Sequence, residues 1–173
     1  QYLTPFGEYI PLRNIARMIS PFVDDVTDFH AGKRVDKHTV DGFQMAPIIC
    51  YELLSDSLVQ NAARESDAII AQTNSATFAG TSESTQQLNI TRLRAMENAR
   101  EIVSISTIGV SAHIDINGRV ISATPENVPA VLTGNLRSNN QVTMANWLGG
   151  FAPVLVIAIF LVLPAALRIV RSR

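Results

Sequence analysis

Hydrophobic positions along the chain fall into short apolar blocks set between polar loops, and one much longer block near the end. Residues 43–50 end in the β-branched pair Ile48-Ile49 and read as a buried strand, since such side chains suit a covered, pleated surface. Residues 67–72 (DAIIAQ) and 102–107 read the same way, and 129–136 gives a last strand. Residues 110–116 and 119–123 alternate about Asn117-Gly118, a hairpin signal in which both central residues are expected at positive φ. Helical spacing predicts three helices. In 12–20, Leu12, Ile15, Ala16 and Ile19 share a face and Pro21 stops the run. Residues 57–65 follow Ser55-Asp56, whose side chains suit an N-cap. Residues 85–101 carry a stripe of Leu88, Ala95, Met96 and Ala99, with Arg94–Glu97 and Glu97–Arg100 placed to form structural ion pairs. Strands alternating with helices and closing on a hairpin predict an α/β layered domain.

The long block is residues 148–167, twenty positions without a charge. As a helix rising about 1.5 Å per residue it matches a ~30 Å hydrocarbon layer, so it is expected to span a membrane. Trp147 suits the interface at its start, and Arg168, Arg171 and Arg173 follow its end. Positive charge favours the cytoplasmic side, which puts the C-terminus inside and the preceding domain outside. The expected organisation is a domain at 1–138, a linker at 139–146, a span at 147–168 and a cytoplasmic tail at 169–173. Gln1 is not an initiator methionine, and the sequence is expected to begin inside a longer protein.

Charge narrows the function. Without those three arginines, 11 basic residues face 15 acidic ones, which leaves no electrostatic footprint for nucleic acid. His30, His38 and His113 are scattered, so no metal site and no cofactor is expected. Neither a glycine-rich phosphate loop nor a G-x-S-x-G nucleophile appears. Residues 22–42 are charged and aperiodic, a surface excursion; 73–84 form a polar loop with Phe78 as its large apolar anchor. What remains is Cys50, the sole cysteine, at the end of a strand; Glu52 two residues on; Glu8, the single charge of a Pro- and aromatic-rich loop at 1–11; and the loop containing Asn74. A strand end exposes a nucleophile near free backbone N–H groups that can stabilise an oxyanion. An unperturbed thiol titrates near about 8.5 and needs a base or cation to react at neutral pH. Glu52 has the wrong sign for that task, so the activator comes from elsewhere.

These residues carry a resemblance. Cys50-Tyr51-Glu52 after an apolar strand resembles the nucleophile motif of the nitrilase (carbon–nitrogen hydrolase) superfamily. Adding PFGEYIP (5–11), Thr73-Asn74, RAMENAR (94–100) and a closing apolar helix, the chain is similar to the C-terminal part of the apolipoprotein N-acyltransferase family. The resemblance implies an αββα sandwich outside the cytoplasm, attached to membrane helices in the bacterial cell membrane, and a Glu–Lys–Cys triad. Cys50 matches the nucleophile, which takes a fatty acyl chain from a phospholipid as a thioester. The chain then passes to the N-terminal amine of a diacylglyceryl apolipoprotein. Glu52 and Glu8 match supporting acids, and the N–H of Tyr51 matches the backbone share of the oxyanion hole.

Two departures follow from the same comparison. The family's lysine and general-base glutamate fall before Gln1, so the 173 residues alone are expected to be an inactive fragment. The family's T-N-D-x-W-F-G loop stands here as TNSATFAG, with Ser75 for the acid and Thr77 for the tryptophan. Asn74, Thr77 and Phe78 are therefore expected near the substrate entrance, where the change bears on donor preference. Two other readings compete: a membrane-tethered amidase using water as acceptor, and a non-catalytic anchored interaction domain. The apolar span argues against the first, because a small polar amide gives no reason for a lipid tether.

Overall fold

The computed structural model describes residues 3, 5, 8–25, 27–32, 36–151, 154 and 156–161. Its centre is a six-stranded sheet in the order β1 (His38–Val40), β2 (Phe43–Ile49), β3 (Ala68–Thr73), β4 (Glu101–Ser106), β5 (Ala112–Ile114), β6 (Val120–Ala123). β2, β3 and β4 run parallel, and the outer neighbours pair antiparallel. Parallel strands need crossovers, supplied here by α2 (Asp56–Arg64) and α3 (Glu83–Asn98). Register aligns Ala46, Ile69, Ile102 and Ile114 in one row across four strands. All four are fully buried beneath Leu58, Val59, Ala62, Ala63 and Ala95 of the two helices, which forms the core.

The expected α/β class holds, and the strands at 43–50, 67–72 and 102–107 fall within a residue or so of their predicted places. The described residues form one sheet with one helical layer, so the implied αββα sandwich is present in part.

Several expectations are corrected. Residues 12–20 contain a single helical turn, α1 (Arg13–Ala16), entered through Leu12 at φ 49°. Leu12, Ile15 and Ile19 are exposed, so helical spacing there does not mark a core face. α2 does begin after Ser55, but without a side-chain cap. On α3 the buried positions are Thr91, Arg94, Ala95 and Asn98, while Met96 is exposed. The helix ends before residue 101; Ala99 takes a left-handed conformation, and Glu101 opens β4. Arg94 does pair with Glu97 (2.7 Å), but Arg100 spends its donors on the carbonyls of Ala63 and Ser66 (both 2.9 Å) and Gln141 (3.1 Å).

The hairpin turn needs only one of the two positive-φ residues expected of it. Only Gly118 is at positive φ (72°), and Asp115 organises the turn by accepting from the N–H groups of Asn117 and Arg119 (2.9 and 2.8 Å). A side chain at Gly118 would also press on the Arg92 carbonyl of α3. Residues 129–136 form no strand; they lie within an irregular segment with Val131 exposed and no ladder partner. The chain beyond is tied down by side-chain bonds, Asn139 to the Ala99 carbonyl (3.0 Å) and Thr143 to that of Glu97. α4 (Met144–Leu148) then begins at an N-cap made by Thr143, which accepts from Asn146 (3.0 Å).

The expected span at 148–167 lies partly outside the described residues. Among those described, no helix is long and apolar enough to cross a membrane.

Candidate active site

Cys50 sits where β2 stops. A 3-10 turn, Cys50–Leu54, separates the strand from α2, so the bend is sharper than a direct strand-to-helix junction. Its first residue is at φ 49°, a left-handed conformation that is uncommon for a side chain other than Gly, Asn or Asp. Such conformations persist where surroundings over-determine them, and they cluster at reactive sites. Two contacts hold this turn. Glu52 reaches back so that its carboxylate accepts from the Ile49 N–H (3.0 Å), closing the turn on the strand end. Arg94, buried on α3, donates to the carbonyls of Leu53 (2.8 Å) and Leu54 (3.0 Å) and pairs with Asp56 (2.6 Å) at the head of α2. One guanidinium thus fixes both the end of the nucleophile turn and the helix that follows.

The thiol is half-buried and lines an open cleft of about 110 Å³. Tyr51, Leu53, Leu54 and Ile90 give the cleft its apolar part; Glu83, Gln86 and Gln87, from the first turns of α3, give a polar wall. Burial pushes the Cys50 thiol above the ordinary thiol range. The neighbouring backbone N–H of Tyr51 pulls it back, and the charges of Glu83 and Glu8 push it up again. At neutral pH the sulfur therefore holds its proton, and nucleophilic attack needs a base from outside this turn.

The other expected site residues are not all gathered here. Glu8 is half-buried and does not line the cleft, although its charge reaches the thiol. Tyr51 is adjacent and lines the cleft. Asn74, Thr77 and Phe78 line neither wall. Asn74 instead staples its loop, accepting from Ala76 N–H (3.1 Å) and from the Thr107 hydroxyl (2.9 Å) at the end of β4. Thr77 is exposed, and Phe78 is 43% exposed, packed beside Ser75, Gly80 and Ile108.

Sequence reasoning missed three things. Arg94 reads in the sequence only as half of a structural ion pair with Glu97, because its carbonyl partners, Leu53 and Leu54, are far away in sequence. Glu83 sits in the cleft, yet nothing local marks it. His113, read as one of three scattered histidines, forms a buried pair with Glu101 across β4 and β5 (3.0 Å). Among the described residues no group of His, Cys, Asp and Glu could hold a metal ion.

Residues 3–143 match the carbon-nitrogen hydrolase family model. The chain belongs to that family. It is 32% identical over 145 residues to the apolipoprotein N-acyltransferase of Vibrio parahaemolyticus, covering 82% of this chain and 29% of the relative. The Vibrio vulnificus apolipoprotein N-acyltransferase is 30% identical over 165 residues, 94% of this chain and 33% of the relative. The chain thus spans about a third of the length of these relatives. In structure it is similar to a mutant of the Nesterenkonia AN1 amidase from the nitrilase superfamily, with a TM-score of 0.51 at 14% identity over 62% of this chain and 43% of the amidase. The last likeness shows the fold.

Proposed function

We propose that the whole protein is an apolipoprotein N-acyltransferase, with Cys50 as its nucleophile. The observation that carries this is the setting of Cys50: a left-handed residue at the end of β2, opening on a cleft with an apolar part and an acidic wall. In the first half-reaction Sγ attacks the ester carbonyl of a phospholipid. The C–S bond forms, the ester C–O bond breaks, and the lysophospholipid leaves with the proton the thiol gave up. In the second, the N-terminal amine of a diacylglyceryl apolipoprotein attacks the thioester; the C–N bond forms, the C–S bond breaks, and a proton returns to sulfur. Splitting the transfer this way replaces one high barrier by two lower ones.

The chain's own residues supply position more than proton transfer. Glu52 and Arg94 fix the turn, and in this reading the N–H of Tyr51 bonds the negative charge that develops beside Cys50. Leu53, Leu54 and Ile90 offer an apolar surface for the first carbons of the acyl chain. The base that takes the thiol proton is assigned to the lysine and glutamate that the family carries ahead of the stretch beginning at Gln1. Glu8 acts in this reading as a supporting acid at the edge of the site. The loop of Asn74, Thr77 and Phe78 influences donor choice from outside the cleft.

The apolar block at 148–167 is read as a membrane span, with the domain on the outer face and the chain end in the cytoplasm. Its described residues 156–161 are helical and apolar, and Ile157, Phe160 and Leu161 are exposed, as lipid-facing residues would be. An amidase would use the same cysteine, but the apolar part of the cleft and this exposed run favour a lipid donor. The test is N-acylation by the full-length protein in phospholipid vesicles with a diacylglyceryl-cysteine peptide. Cys50→Ser is expected to abolish it while leaving the thermal transition unchanged; retained N-acylation would remove Cys50 from the mechanism.

A further inference from the structure

One carboxylate in the cleft has no part in the reaction as described. Glu83 stands in the first turn of α3 and shares the cleft with Cys50. Its Oε2 is buried and has no hydrogen-bond partner among the described residues. An acid in a helix's first turn is ordinarily accounted for by the helix dipole. Here the Glu83 N–H is already served by the Thr81 hydroxyl (3.3 Å), and Oε2 is shielded from solvent. A carboxylate oxygen shut away from water costs free energy until a donor reaches it. Its neighbour Gln87 turns its amide to the Thr73 hydroxyl and does not bond Oε2. The charge of Glu83 helps to keep the proton on the thiol, which opposes the first half-reaction. Its contribution therefore belongs to the second, whose incoming group is an amine that arrives as a cation.

We infer that Glu83 is the recognition group for the acyl acceptor, pairing with its N-terminal ammonium on the polar wall while the acyl chain lies against Leu53 and Leu54. This rests on the acyl-transfer reading above. Docked in this way, the acceptor nitrogen is held on the α3 side of the thioester. Before attack it loses one proton to the base, and the proton shed as the C–N bond forms passes to the departing thiolate. Glu83 takes no part in the bond changes. It selects a cationic acceptor over a neutral one and over water.

The experiment uses the full-length protein in phospholipid vesicles, following acylation of Cys50 and its deacylation separately. Two acceptors are compared: a synthetic peptide beginning in S-diacylglyceryl-cysteine, and hydroxylamine, which is uncharged at neutral pH. For Glu83→Gln, acylation of Cys50 is expected to be as fast as in the parent or faster. KM for the peptide rises about tenfold, the scale of one lost charge-assisted hydrogen bond. Deacylation by hydroxylamine is unchanged, and Glu83→Asp falls between. With a parent that acylates normally, an unmoved peptide KM, an equal loss with both acceptors, or slowed acylation of Cys50 in Glu83→Gln would each overturn the inference alone. A parent that never acylates Cys50 would overturn the acyl-transfer reading, and this inference with it.

Discussion

The two faces of the sheet differ sharply. One is sealed: Ala46, Ile69, Ile102 and Ile114 are wholly buried under α2 and α3. On the other, Ile49 is 58% and Ile105 46% exposed, and Pro47, Ile70 and Val103 are half-buried. Yet β3 and β4 are nearly as apolar on the open side as on the closed one. Parallel strands of that composition are ordinarily covered on both faces. The open face is where the second sheet of an αββα sandwich would lie. The difference teaches where the domain's own stability comes from: the closed face and the contacts along its edge, including those that hold the nucleophile turn.

The largest expected effect separates the faces directly. Ile69→Ala, on the closed face, is expected to cost about 2–5 kcal/mol in denaturant unfolding of this chain, because it leaves a cavity under the helices. Ile105→Ala, on the open face, should stay within about 0.5 kcal/mol. Equal losses would mean that the open face is packed as tightly as the closed one. In the full-length protein the gap should narrow if a second layer covers Ile105.

Next in size is Arg94. Lysine cannot span the carbonyls of Leu53 and Leu54 and the carboxylates of Asp56 and Glu97 together, so Arg94→Lys should destabilise by about 2 kcal/mol. It should also speed alkylation of Cys50 by iodoacetamide as the turn loosens. Stability lost with no change in alkylation would confine Arg94 to the fold and release it from the site.

The smallest effect lies at the strand edge, independent of either face. Asp67 accepts from the Gln44 N–H (2.7 Å) and from Ser138, and the Gln44 bond foremost holds its carboxyl below the usual range. A depressed folded pKa stabilises above the unfolded value, and that contribution fades as pH falls through the folded one. Asp67→Asn should therefore cost about 0.5 kcal/mol at neutral pH, and the difference from the parent should shrink below about pH 4. A difference constant with pH would show that the bonds do not depend on the charge.

The closed face was largely legible in the sequence. DAIIAQ, the run into Ile48-Ile49 and the helix after Asp56 carry burial in their own periodicity, and Cys50 stood out as a lone thiol at a strand end. What escaped depends on distant partners. The buried side of α3 holds Thr91, Arg94 and Asn98 beside Ala95, and these polar residues donate to the carbonyls of Gln87, Leu53, Leu54 and Arg94. A hydrophobic stripe cannot show that. The opposite error fell at 12–20, where Leu12, Ile15 and Ile19 have helical spacing but are left exposed. Residues 129–136 have strand-like composition, yet no neighbour offers them a ladder. Glu83 reached the cleft because a crossover folds α3 over the end of β2, which no local pattern announces.

The central claim is that the Cys50 sulfur carries an acyl group. Full-length protein incubated with phospholipid vesicles, digested and mapped by mass spectrometry tests it most directly. The account predicts a fatty acyl adduct on the peptide containing Cys50, released by hydroxylamine and absent from Cys50→Ser. An unmodified Cys50 in protein that is nonetheless N-acylating its peptide acceptor would contradict it.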